Sequence, residues 1–308
     1  MLEIRELTKA FGGARAVDGL TLTLEPGNIM GFIGPNGAGK TTTMRMIATL
    51  MAPDAGTIRI DGYDVVESPY AARARLGFMP DFIGVYNDLK VWEYLDFFAA
   101  AYRIPTHNRA RIIDEVLALT DLTGKRDAYV ASLSKGMKQR LCLAKTLSHD
   151  PQLLLLDEPA AGLDPRARIE LRELLKELQR MGKTLLVSSH ILTELADLCN
   201  QVTIIEKGRV LVSGSISDII AAQTVCPRFM VEVAGDEDRA EQVLAALPAV
   251  KICERNGACF TVDYVAGDDA SHQILTQLVT AGLAVRQFRK VEEGVEGLFM
   301  KLTRGEVA

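Results

Sequence analysis

The chain has 308 residues, 48% hydrophobic and 24% charged, with a formal net charge of -5. These are ordinary values for a soluble globular protein with room for two domains. The acidic balance and the scattered Lys and Arg residues give no global attraction to a polyanion, so no nucleic-acid partner is expected. No apolar run approaches the ~18 residues of a membrane span, and the N-terminus lacks a basic-then-apolar signal layout. Five cysteines (Cys142, Cys199, Cys226, Cys253 and Cys259) form no CxxC pair and are odd in number. They read as buried thiols of a cytosolic protein rather than as a zinc site or disulfide framework.

In chain order, residues 2–7 and 20–24 alternate in strand fashion, and 28–34 form a buried-strand run ending in a glycine loop. Short strands are predicted at 57–61 and 76–79. From about Val91 to His149 the texture is helical, in "VWEYLDFFAAAYRI", "RARIIDEVLALTDL" and "SKGMKQRLCLAKTLSH". Strands return at 152–157 and 183–189, around a helix that Pro165 opens and Gly182 ends. Continuous apolar strands alternating with amphipathic helices predict a parallel sheet covered on both faces, with the helical stretch inserted into it. A hairpin over 202–214 is expected to turn at Lys207-Gly208. From about Arg228 the order is strand, helix, hairpin, helix and strand, with "VEGLFMKLT" as a closing helix. Asn256-Gly257 is a type I′ turn signal in that hairpin. The order βαββαβ predicts a small ferredoxin-like sandwich.

The chemistry begins in "GPNGAGKTTT". Gly34-x-x-x-x-Gly39-Lys40-Thr41, between a strand and a helix start, fits a phosphate loop. Gly34, Gly37 and Gly39 let successive N–H groups turn inward. The helix start adds its positive end, Lys40 reaches the terminal phosphates and the Thr41 hydroxyl is suited to Mg²⁺. Pro35, Asn36, Ala38 and Thr42 complete the nucleotide-contacting loop. "LLLLDEP" then delivers Asp157, able to hold magnesium through water, and Glu158, placed to polarise an attacking water. "AAGLDP" supplies Asp164, and "SSH" ends a strand on His190. "LSKGM" puts Ser134 at a helix N-cap, with the Gly136 backbone beside it; by its residues alone this reads first as an ordinary capped helix, with a second phosphate-binding end as the alternative.

The order of "GPNGAGKTT", "LSKGMKQR", "LLLLDEP", "GLDP" and His190 resembles the ATPase subunit of an ATP-binding cassette (ABC) transporter. The likeness covers about residues 1–220. It implies an α/β P-loop NTPase cassette with an inserted helical subdomain over about 86–150, followed at 226–308 by the small α+β unit. It implies ATP and Mg²⁺ as cofactors, with Phe11 stacking on adenine and Val17 beside it. Lys40, Glu158 and His190 take the catalytic roles, Thr41 and Asp157 hold the metal, Ser134 and Gly136 close on a partner's nucleotide, and Asp164 contacts the dimer mate. The implied partners are a second copy of the chain and a membrane-spanning permease, which would hold it at the cytoplasmic membrane face. Three positions depart from the family pattern: Lys135 and Met137 replace a glycine and the glutamine of LSGGQ, and Asp81 stands where a glutamine usually approaches the metal. The second unit resembles, by layout, the drug- and polysaccharide-exporter ATPases of the daunorubicin-resistance type, implying export. A soluble cassette ATPase acting on ribosomes or DNA is the competing class; those usually carry two cassettes or a long coiled coil, whereas this chain has one phosphate loop and no extended heptads. No NKxD-type motif suggests GTP.

Overall fold

A computed structural model describes residues 1–82, 84–191, 195, 197–216, 218–219, 228–247, 250–264 and 270–291. The chain divides into two compact units, Met1–Ile216 and Ser217–Lys301.

The first unit is built on a six-stranded sheet in the order β10-β9-β3-β8-β7-β6. Its members are β3 (Ile29–Ile33), β6 (Leu76–Met79), β7 (Leu153–Leu156), β8 (Thr184–Ser189), β9 (Gln201–Glu206) and β10 (Arg209–Ser215). β3, β7 and β8 are buried at every position, and neighbours from β6 to β9 run parallel. Runs such as "LLLL" have no polar alternation because both faces of a parallel sheet are covered. The expected hairpin turns at Lys207-Gly208, both at positive φ, the condition of a type I′ turn.

A second, antiparallel sheet has the order β2-β1-β4-β5, from β1 (Leu2–Phe11), β2 (Ala14–Leu24), β4 (Ala55–Ile60) and β5 (Tyr63–Asp64). β1 and β2 extend past the predicted 2–7 and 20–24 to a tip at Phe11↔Ala14. Ile4, Leu22 and Ile58 of this sheet share one core with Phe32, Leu155 and Leu186 of the other. Met44 and Ile47 of α1 (Lys40–Ile47) join them. After α2 (Pro69–Arg73) and β6 comes the helical insertion: α3 (Val91–Ala101), α4 (Thr106–Leu119) and α5 (Lys135–Leu147). The chain then returns through β7 and α6 (Pro165–Arg180), with Pro165 in the first turn and Gly182 at φ 86 after the last.

The second unit follows the predicted βαββαβ order: β11 (Arg228–Ala234), α7 (Glu237–Ala245), β12 (Val250–Asn256), β13 (Cys259–Tyr264), α8 (Ala270–Thr280) and β14 (Ala284–Val291). Its sheet order is β12-β13-β11-β14, antiparallel throughout. Phe229, Val231, Phe260 and Val262 point to a core shared with Ala240 and Leu244 of α7 and Ile274 and Leu278 of α8. The hairpin differs from the expected type I′ turn. Asn256 pairs with Cys259, so the turn residues are Gly257 and Ala258, and of these Gly257 alone has positive φ. The strand pairing carries Asn256 into the ladder. Cys142 and Cys199 are buried free thiols as expected, while Cys259 is half-buried. The predicted closing helix "VEGLFMKLT" lies outside the described residues.

Candidate active site

The sheet ends and the tip of the β1–β2 hairpin frame an open cleft of about 580 Å³. β3 runs into the glycine loop, and the loop runs into α1. A Cβ at Gly34 would run into the Ile205 carbonyl, and one at Gly39, where φ is 101°, into the Ala16 carbonyl. Only glycine passes between those backbones. Asn36, Gly37, Ala38, Gly39, Lys40, Thr41 and Thr42 all line the cleft. Lys40 is nearly fully buried and donates to Gly34 O at 2.7 Å and Pro35 O at 3.2 Å, which ties the loop to its own start. Burial lowers the Lys40 pKa, and the neighbouring Glu158 and Asp157 carboxylates partly restore it.

On the opposite wall, β7 delivers two carboxylates in different states. Asp157 is completely buried; its Oδ1 accepts from Ser188 Oγ at 2.6 Å, and its Oδ2 has no hydrogen-bond partner. Burial raises the Asp157 pKa; the Ser188 hydrogen bond and then the nearby Thr41 hydroxyl lower it, and the charges of Asp81 and Glu158 raise it further. Glu158 turns the chain with φ at 50°, a left-handed conformation uncommon for a residue with a Cβ. Its N–H donates to Ser188 Oγ at 2.9 Å. Its carboxylate faces the cleft, with Oε2 2.8 Å from His190 Nδ1 and Oε1 3.7 Å from Lys40 Nζ. Asp81 also lines the cleft, as does the half-exposed ring of Phe11 at the hairpin tip.

The expected residues are not all in one place. Val17 is fully buried behind Gly39, and its neighbour Ala16 lines the cleft. Ser134, Gly136 and Asp164 do not line the cleft of their own chain. Ser134 is the N-cap of α5, its Oγ accepting from Met137 N at 3.3 Å. Asp164 caps α6, Oδ1 accepting from Ala167 N at 2.9 Å. Lys135 lays its ammonium against Gly162, in the loop between β7 and α6.

Two residues were missed from sequence. Ser188 holds Asp157 and the Glu158 backbone at once; the signal was a polar pair closing an otherwise apolar parallel strand, where ligands meet such sheets. Gln139, almost fully buried on α5, donates Nε2 to Pro159 O at 2.5 Å and so links the helical insertion to the loop after Glu158. Nothing in its spacing marked it.

A phosphate loop between a buried strand and a helix, facing an acidic strand end in an α/β sheet, defines a P-loop nucleotide hydrolase. The comparisons with known proteins give the family. The family model described as ABC transporter matches residues 17–161. The Nod factor export ATP-binding protein I of Paraburkholderia xenovorans is 38% identical over 265 residues, 85% of this chain and 86% of that protein. The protein of the same name from Ralstonia nicotianae is 33% identical over 310 residues, covering 100% and 95%. A solved ATP-binding subunit of an ABC transporter matches with TM-score 0.65 and 32% identity, over 72% of this chain and 92% of that one. CbiO1 from Clostridium perfringens, described as part of the ABC transporter complex cbiONQ, matches with TM-score 0.66 and 25% identity, over 80% and 95%. The chain belongs to the ABC transporter family as an ATP-binding subunit, and it is an ATPase. Among the described residues, no helix is long and apolar enough to cross a membrane.

Proposed function

We propose that two copies of this chain close around two ATP molecules, and that closure and hydrolysis drive a separate membrane-spanning permease in export. The observation that carries the reading is the separation within one chain of its two phosphate-binding surfaces. The glycine loop lines a cleft that Ser134 and Gly136 of the same chain do not reach. A second copy supplies them. A Cβ at Gly136 would make only ordinary van der Waals contacts with Ala167 and Leu163. Packing within the chain therefore does not require glycine in that helical first turn, where it is unfavourable by about 1 kcal/mol relative to alanine. Close approach of a phosphate from outside the chain does.

In this reading Phe11 stacks on the adenine, and the backbone from Gly34 to Thr42 cradles the phosphates with Lys40. The magnesium site fits the residues present, since the buried Asp157 keeps an oxygen without a partner and the Thr41 hydroxyl lies beside it. Mg²⁺, held by Thr41 and Asp157 with Asp81 at the rim, would neutralise phosphate charge. Glu158 takes the proton of the attacking water, and His190 fixes the orientation of that carboxylate. Asp164 lies on the loop expected to meet the mate. The chain would then sit at the cytoplasmic membrane face through its permease, without nucleic acid. Export rests on the relatives named as Nod factor export ATP-binding proteins, two of which match across most or all of this chain.

A cysteine pair tests the arrangement. Asn36→Cys on one copy and Ser134→Cys on another, in the Glu158→Gln background, should cross-link only when ATP is present. Cross-linking that ignores ATP, or none at all with ATP bound, would remove the proposed pairing.

A further inference from the structure

We infer that a second cavity, behind the acidic strand end, takes a small carboxylate with an apolar body, and that its occupancy slows ATP turnover. Binding there is independent of the proposed pairing of two copies; the effect on turnover rests on the proposed role of Glu158.

The cavity, of about 280 Å³, lies within the first unit between α6 and the end of β8. It shares one lining residue with the nucleotide cleft, Glu158. Ligand cavities usually run from ~300 to ~1,000 Å³, so its occupant is small. The walls are mainly apolar. α6 contributes Ile169, Leu171 and Leu175, and Val187, Leu195 and Leu198 complete them. All of these except Ile169 are buried. Space left between such side chains forfeits dispersion contacts, and an apolar cavity holds water poorly. An apolar ligand recovers those contacts.

The polar part of the wall selects the head group. Arg168 and Arg172 both line the cavity, four residues apart on α6 and so on one face of it. Arg168 donates Nε to Leu163 O at 3.0 Å. Arg172 donates Nη1 to Asp197 at 2.8 Å, but its Nε–H is buried and has no hydrogen-bond partner among the described residues. A buried guanidinium N–H without an acceptor is costly. The one carboxylate among the lining residues, that of Glu158, is held on the nucleotide side by His190 and Lys40. The wall is therefore cationic and short of an acceptor, and a carboxylate supplies both the acceptor and the opposite charge.

The same cavity touches the chemistry. Glu158, Pro159, Ala160 and Ser188 also line it. Ser188 bonds both Asp157 and the Glu158 N–H, and Pro159 O accepts from Gln139. A ligand seated there bears on the segment that aims the Glu158 carboxylate. Misplacing a reacting group by ~1 Å can cost ~10²-fold in rate.

The probe is octanoate, added to the full chain. Calorimetry without nucleotide should show saturable binding at one site, with octylamine bound about 10-fold more weakly or not at all. Arg172→Gln should weaken octanoate binding by about 10-fold or more. Ile169→Glu, at an exposed position, sets a repelling charge on the wall and should do the same; thermal midpoints confirm that both variants fold. Steady-state ATPase of wild type should fall several-fold as octanoate saturates, while Ile169→Glu keeps its rate at the same concentration. No saturable binding, equal affinity for octylamine, or wild-type affinity in both variants would overturn the inference. So would octanoate that displaces a fluorescent ATP analogue, since it would then occupy the nucleotide cleft. Binding that leaves turnover unchanged would overturn the claimed control. Because binding is read without nucleotide, none of these results bears on the pairing of two copies.

Discussion

His190 Nδ1 lies 2.8 Å from Glu158 Oε2, while the other oxygen of the same carboxylate lies 3.7 Å from Lys40 Nζ. One side chain thus joins the strand end after β8 to the phosphate loop. The Glu158 backbone is also fixed, by its bond to Ser188. The group proposed to meet a water near the last phosphate is held at three points before substrate arrives.

Replacing Glu158 with Gln keeps this shape and removes the base. Nucleotide affinity should persist while turnover falls about 10²- to 10⁴-fold, the usual worth of a positioned general base. A Glu158→Gln protein with wild-type ATPase rate in a steady-state assay would take the residue out of the chemistry.

In the proposed mechanism His190 acts through Glu158, so its loss should appear in kcat rather than in KM. His190→Ala should slow turnover by about 10²-fold, the scale of a misplaced reacting group. Restoration toward wild type by His190→Gln, which can still donate to the carboxylate, would distinguish positioning from a charge effect. A raised KM with kcat unchanged would instead make His190 a binding residue.

Ser188 bonds two polar groups at once, Asp157 Oδ1 and the Glu158 N–H, and neither has another hydrogen bond among the described residues. Ser188→Ala leaves both unpaired, one of them on a buried carboxylate. Unfolding in urea should show a loss of about 1–3 kcal/mol, the range for stranding a buried polar group. The ATPase rate should fall with it, since both acidic residues lose their register. A variant as stable as wild type would show that water replaces the hydroxyl at no cost.

His149 provides a pH test away from the cleft. Its ring stacks on Tyr102 at 3.9 Å, its Nε2 lies 2.9 Å from Leu76 O and its Nδ1 is buried without a partner. Burial holds its pKa below the ordinary 6.5; the Leu76 carbonyl and Asp150 oppose that shift, and Lys183 adds to it. Because the folded value is depressed, the unfolded chain takes up the proton first as pH falls. The stability His149 contributes is therefore complete above 6.5 and is lost as pH drops below that value toward the folded pKa. Urea midpoints at pH 7.5 and 5.5 should drop more for wild type than for His149→Gln. Equal drops would place the titrating group elsewhere.

The fold was legible wherever one strong local signal decided it. Buried runs such as "LLLL", Pro165 and Gly182 around α6, and Lys207-Gly208 in its turn each had little competition. Asn256-Gly257 misled because pairing with Cys259 outweighed the dipeptide's turn preference. Within the site, the glycine loop and the acidic strand end announced themselves through spacing. Val17 and Ala16 could not be told apart, since which of two neighbours faces the cleft depends on the register shifts along β1 and β2. Gln139 was illegible for a related reason: it works by reaching Pro159, distant in sequence, and one sequence does not reveal that contact, whereas Ser188 was marked only by the polar pair that ends its apolar strand.

The central claim is that a nucleotide joins two copies of this chain, and sedimentation of the Glu158→Gln protein tests it most directly. With ATP and Mg²⁺ the protein should sediment as a dimer, returning to monomer when Ser134→Arg is added or ATP is left out. A chain that binds ATP at saturation and still sediments as a monomer, with its membrane-spanning partner supplied, would contradict it.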